Sequence, residues 1–144
     1  MKRLWVLAAL LLLAGCRDVR IQTLKEGTTT VLGSGNEIAI VRDAASLDRL
    51  GIRAPVSYRN EFGVALIMGP HSRTGYRQIV ESIHADTDGV RVVAFEQPPA
   101  NGGEPSRAYR TYTLWIVPNA VYRRGVHVQV VTPSDDPIVE TVLP

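Results

Sequence analysis

The chain has 144 residues, of which 45% are hydrophobic and 21% charged, enough for one domain with a modest core. Its formal net charge of +2 resides in Lys2 and Arg3, since the remaining basic and acidic side chains balance at 14 each. That balance excludes the basic stripe of a nucleic-acid binder and the Lys/Arg cluster of a polybasic membrane binder. Arg123-Arg124 is the one adjacent basic pair beyond the N-terminal segment, and it reads as a solvated turn before Gly125. No internal repeat or low-complexity linker divides the chain.

The N-terminal segment reads as a processing signal. Lys2 and Arg3 precede an apolar stretch from Leu4 to Leu13 that is too short to cross a bilayer of roughly 30 Å as a helix. Leu13-Ala14-Gly15-Cys16 closes it and resembles the lipobox of bacterial lipoproteins, which implies cleavage before Cys16 and lipid on that residue. Cys16 is the sole cysteine, so no internal disulfide can form. Each acyl chain contributes about 0.8 kcal/mol per buried CH₂, and two or more chains hold stably where one does not. The expected organisation is a signal peptide over 1–15, the lipidated cysteine and a short tether over 16–20, and a β-rich domain over 21–144. In the sorting pattern of diderm envelopes, an aspartate directly after the cysteine favours the inner membrane. Here Arg17 holds that position and the aspartate is Asp18, which points to the periplasmic face of the outer membrane.

Beyond the tether, alternation of period two dominates. Thr28 to Leu32 and Glu37 to Val41 are β-prone and flank Gly33-Ser34-Gly35-Asn36, a spacer that predicts a hairpin. Asp43 suits a helix N-cap, Leu47 and Leu50 share a face, and Gly51 is placed to stop the helix, with Pro55 soon after. Such a helix of about two turns depends on packing against a sheet. Phe62 to Met68, FGVALIM, reads as a strand buried on both faces. Tyr76 to Ala85 alternates and then slips phase at Ile83, as a strand with a β-bulge; the spacing of Ile79 and Ile83 also suits a helix. Asp86-Thr87-Asp88-Gly89 favours the strand, because it turns the chain into Val90 to Phe95 as a hairpin.

Gln97 to Ser106 contains Pro98, Pro99, Pro105 and Gly102-Gly103 and is predicted as a loop. Strand alternation resumes over Arg110 to Val117 and at Val126, Val128 and Val130. Pro133 to Pro137 then turns the chain towards a last strand near Ile138 to Val142. About eight strands and one short helix predict a mainly β fold, a sandwich or a partly closed antiparallel barrel.

Between Phe62 and Pro118 the order of features resembles the C-terminal domain of the protease complex subunit PrcB family: an apolar strand, glycine, a Thr/Gly/Tyr loop, a hairpin, a proline-containing loop, and a strand opened by an aromatic residue. Gly69-Pro70-His71-Ser72-Arg73-Thr74-Gly75-Tyr76 occupies the loop. Gly75 and Tyr76 match the usual Thr-Gly-Gly-Tyr, while Arg73 and Thr74 replace its threonine and first glycine. Thr111-Tyr112 stands where Pro-Tyr is common. The resemblance implies an accessory role at the cell envelope, in stabilising a protease complex. It makes Gly69, Arg73, Thr74, Gly75 and Tyr76 a candidate partner-binding loop or, alternatively, a structural corner between strands. Glycine at 75 would supply a backbone angle closed to other residues, and tyrosine is enriched where proteins meet.

Catalytic readings find little support. Ser72, His84 or His127, and Asp86 or Asp88 include the residue types of a serine hydrolase, but there is no G-x-S-x-G elbow. A lipidated Cys16 is no nucleophile. His71, His84 and His127 stand singly, without metal-ligand spacing, and Asp135-Asp136 lacks the repeated oxygen ligands of a calcium loop. No phosphate-cradling loop is present. The sequence therefore predicts a non-enzymatic envelope interaction protein with no cofactor and no metal. It would be held to the membrane by N-terminal lipid and would bind a protein partner, a protease complex foremost. A second reading is a binding module for a small apolar or glycan ligand between sheets, with Tyr112 and Trp115 as stacking rings.

Overall fold

The computed structural model describes residues 19, 21–86 and 88–144; the expected signal peptide, Cys16, Arg17 and Asp18 lie outside them. Eight strands form two sheets: β1 (Gln22–Thr29), β2 (Glu37–Val41), β3 (Glu61–Arg73), β4 (Arg77–Ala85), β5 (Gly89–Gln97), β6 (Pro105–Pro118), β7 (His127–Val131) and β8 (Pro137–Val142). One helix, α1 (Ala44–Arg49), follows β2, and a 3-10 turn (Asn119–Val121) follows β6. The first sheet has the order β1-β6-β3-β2 and is antiparallel throughout. The second has the order β4-β5-β7-β8, with β5 and β7 parallel. They pack face to face as an open sandwich, the first of the two predicted architectures, and do not close into a barrel.

The apolar run in β3 explains the layering. Phe62, Val64, Leu66 and Met68 face the second sheet and join Trp115 and Val117 of β6 with Val90, Val92, Val128 and Val130. The alternate residues Ala65 and Ile67 face the other way, with Tyr112 and Leu114 of β6, and are covered by Leu47 of α1 and by Ile52. Both faces are buried, as the continuous run predicts. Burying each Val, Leu, Ile or Phe is worth about 1.5–3 kcal/mol. This double-sided core anchors the molecule on the β3–β6 pair.

The helix forms where its capping residues stand. Asp43 Oδ1 accepts from the Ser46 amide at 2.7 Å and from its hydroxyl at 2.8 Å, and Gly51 leaves the helix at φ +67°. The Ser46 hydroxyl, then its amide, hold the Asp43 carboxyl below the usual carboxylate range. Likewise, β4 slips register between Val80 and Ser82, the bulge the phase change predicts, and Ala85 pairs with Val90 across the hairpin. There Asp86 Oδ1 accepts from the amides of Asp88 and Gly89, which lowers its pKa.

One predicted pairing is overturned. Thr28–Leu32 and Glu37–Val41 do not form a hairpin: β1 pairs with β6 and β2 with β3, so the two lie at opposite edges of the first sheet. The strand also spans Gln22–Thr29, so it takes in residues next to the expected tether and leaves Val31 and Leu32 exposed in a connection. That connection crosses the sheet end instead of turning tightly, and a buried cation holds it. Arg110, 2% exposed, donates to Gly35 O and pairs with Glu37 at 3.2 Å. A Cβ on Gly33 would lie 2.5 Å from its guanidinium, so the glycine that resembled a hairpin residue makes room for an arginine.

Candidate interaction surface at the loop end

Three connections meet at one end of the sandwich: 30–36, the turn after β3, and 98–104 before β6. The Gly69 amide donates to Asn36 Oδ1 at 3.3 Å, tying the first to β3, which runs through Gly69 to Arg73 where the sequence predicted a loop. Gly69 takes φ +117° and Gly75 φ +97°, values that favour glycine at both positions. The remaining residues of the predicted partner loop are drawn into closer contacts. Arg73 Nη1 donates to the carbonyls of Gly103 at 2.8 Å and Gly102 at 3.3 Å. The Thr74 amide donates to Glu104 O at 2.9 Å, and the Glu104 amide donates back to Thr74 Oγ1 at 3.1 Å. Shape matches these bonds, since a Cβ on Gly103 would lie 2.2 Å from Thr74 O and one on Gly75 would lie 2.7 Å from Pro99. The two loops that the sequence offered separately are one surface.

Tyr76 is fixed by aromatic and polar neighbours. Its ring stacks on His71, with centroids 3.8 Å apart and planes 9° apart, and Tyr109 approaches the same imidazole at 5.7 Å. Tyr109 Oη donates to Arg73 O at 2.7 Å and accepts from the Tyr76 amide at 3.4 Å. Behind the stack, His71 Nε2 sits 2.7 Å from Glu96 Oε1. Thr111 Oγ1 donates to that same oxygen at 2.6 Å, and Gln78 Nε2 donates to Thr111 Oγ1 and Leu66 O, each at 3.2 Å. A polar chain thus runs from the half-buried Tyr76–His71 stack to the β3–β6 pair. The His71–Glu96 pair is largely shielded, with side chains 12% and 14% exposed. The sequence offered no signal for it, because Glu96 and Tyr109 are remote from His71 and meet it only through strand register.

The other candidate residues are placed differently. Tyr112 and Trp115 lie on opposite faces of β6 and do not form a stacking platform. Trp115 is fully buried between the sheets, and Tyr112, 5% exposed, packs on the α1 side. Burial raises the Tyr112 pKa and, with help from Asp43 and Asp48, that of Tyr58. Around Trp115 the space between the sheets, where a ligand was expected to stack, is filled by core side chains. Ser72, His84 and Asp86 do not assemble either. His84 Nε2 pairs with Asp86 at 3.3 Å at the far end of β4 from the turn that follows Ser72. His127 pairs with Glu140 across β7 and β8. Asp135 closes a turn, φ +72°, and binds Arg91. Among the described residues no group of three or more His, Cys, Asp or Glu side chains is arranged to hold a metal ion. No described helix is long and apolar enough to cross a membrane.

The loop end can present a rigid tyrosine, prolines and the exposed Val31 and Leu32 without ordering them at the moment of contact. When the chain is compared with protein-family models, curated proteins and solved structures, none of them matches it.

Proposed function

We propose that this is a non-enzymatic, lipid-anchored envelope protein that stabilises or regulates a protein partner, a periplasmic protease complex foremost, through the loop end. One observation carries the reading: residues 69–76 and 98–104 are hydrogen-bonded into a single surface around the His71–Tyr76 stack. Rigid aromatic anchors of this kind contribute disproportionately to protein interfaces. Chain direction adds support. The Val19 amide reaches Ala85 O at 3.4 Å, at the far end of β4 from Tyr76. Cys16 is three residues before Val19, within about 11 Å even when fully extended. A lipid on Cys16 would hold that far end at the bilayer and leave the loop end facing away.

The test is affinity purification of the full chain from mildly crosslinked envelopes, with Cys16→Ala and Tyr76→Ala versions beside it. The reading expects one enriched envelope assembly, lost without the anchor and weakened at least tenfold by Tyr76→Ala while the domain stays folded. An assembly retained at full strength by Tyr76→Ala would remove the loop end from the proposal. No enriched protein would end it.

A further inference from the structure

A second site lies beside the loop end, in the gap between the two sheets. β1 is the edge of the first sheet and β4 the edge of the second; each is paired on one side only, β1 with β6 and β4 with β5. Of the eight residues of β1 only Thr29 is buried, so little covers this strand on either face. Glu26–Thr28 of β1, Arg77–Ile79 of β4 and Thr111–Thr113 of β6 enclose a cleft of about 350 Å³. Three consecutive residues from each strand give it the length of about three extended residues, roughly 10 Å.

Its polar groups are incompletely used. Thr113 is 0% exposed and its hydroxyl has no hydrogen-bond partner, although it faces the second sheet in alternation with Trp115. Gln78 donates both its bonds from Nε2, and its Oε1 is buried without a partner. Leaving buried polar atoms unpaired is unfavourable, so two in one cleft mark a place where another molecule's hydrogen bonds are wanted. The lining alternates the apolar Ile79 and Tyr112 with hydroxyl, amide and charged side chains, a mixture that suits an extended chain with both polar backbone and apolar side chains. A strand edge offers alternating N–H and C=O groups that an extended backbone satisfies. The Arg77 guanidinium already bonds Gln97 Oε1 at 3.2 Å, whereas the exposed Glu26 carboxylate is available to a cation.

We propose that this cleft binds an extended peptide segment, which adds to the β4 edge, covers the inner face of β1, and sets a lysine or arginine beside Glu26. The site is separate from the loop end and stands without the partner reading above. Two acetylated, amidated pentapeptides, alternating threonine and valine around a central lysine or a central glutamate, are titrated into the isotope-labelled full chain in detergent micelles and followed by amide NMR. The lysine peptide should give saturable shifts at Glu26–Thr28, Arg77–Ile79 and Thr111–Thr113, and the glutamate peptide should bind at least tenfold more weakly. Glu26→Lys should reverse that order. Thr113→Val should melt no lower than the parent protein, since it removes an unpartnered hydroxyl, yet bind about tenfold more weakly, the loss one hydrogen bond implies. Absence of saturable shifts, unchanged affinity in Thr113→Val, or binding abolished by Gly103→Ala at the loop end would each overturn the assignment.

Discussion

The β3–β6 pair and the loop end are held by different physics. Alternate residues of the central pair are buried on both faces, and any apolar side chain of suitable volume would serve much of that purpose. The loop end has little apolar burial and is fixed by named bonds, Arg73 to Gly102 and Gly103, Thr74 to Glu104, His71 to Glu96, and by glycines that let two backbones touch. Volume stabilises the first region, whereas identity specifies the second. Mutations in the core should therefore act on the whole fold, and mutations in the loop end on its shape alone.

The largest effect is expected from Trp115→Ala, which empties the inter-sheet core beside Val64. The usual cost of about 3–5 kcal/mol is a large share of the stability of a domain this size, and thermal unfolding should report it as a global loss. Gly103→Ala comes next. It forces φ +68° on a side chain and places a Cβ 2.2 Å from Thr74 O. Amide exchange should rise in 74–76 and 99–104 while β3 and β6 stay protected; uniform loss of protection would show that the regions are not separable. His71→Ala should cost about 1 kcal/mol or less globally. Its signature is a mobile Tyr76, visible as a narrowed ring resonance, and an unchanged ring would mean that the stack is incidental.

The smallest effect concerns pH. Asp43 and Asp86 have lowered pKa values in the folded protein, so the native state binds fewer protons than the unfolded state as acid is added. Their contributions are complete above the ordinary carboxyl value of 3.8 and are lost as pH falls through the lowered ones. Asp43→Asn keeps a good capping residue but removes this titration, so it should flatten part of the acid decline in melting temperature. An identical decline in that variant would assign the acid sensitivity elsewhere.

Legibility in the sequence follows the same division. Phe62 to Met68, the Asp43 cap, the bulge in β4 and the Asp86–Gly89 turn all leave local marks, because each is set by hydrophobic period or by a residue's reach to its own backbone. β1 leaves little beyond Thr28 and Thr29: as an edge strand with most residues exposed, Gln22–Thr29 has little reason to alternate, and it is defined by pairing with distant β6. The spacer at 33–36 misleads for a related reason, since Gly33 answers to Arg110, more than seventy residues away. At the loop end the individual residues were visible, but their union through Gly103 and Glu96 depends on tertiary register.

The pairing of β1 with β6 also sets an order of events. Gln22 lies opposite Ile116, so nearly the whole described chain must be in place before the first strand finds its neighbour. Closing so long a loop is entropically unfavourable until the intervening strands have docked, and such distant pairings slow folding. β1 is accordingly expected to join late and, like the other edge strands, is held on one side only. A newly made chain with β6 free on that side would offer the same edge to any extended chain nearby, its own N-terminal strand competing with strangers for it.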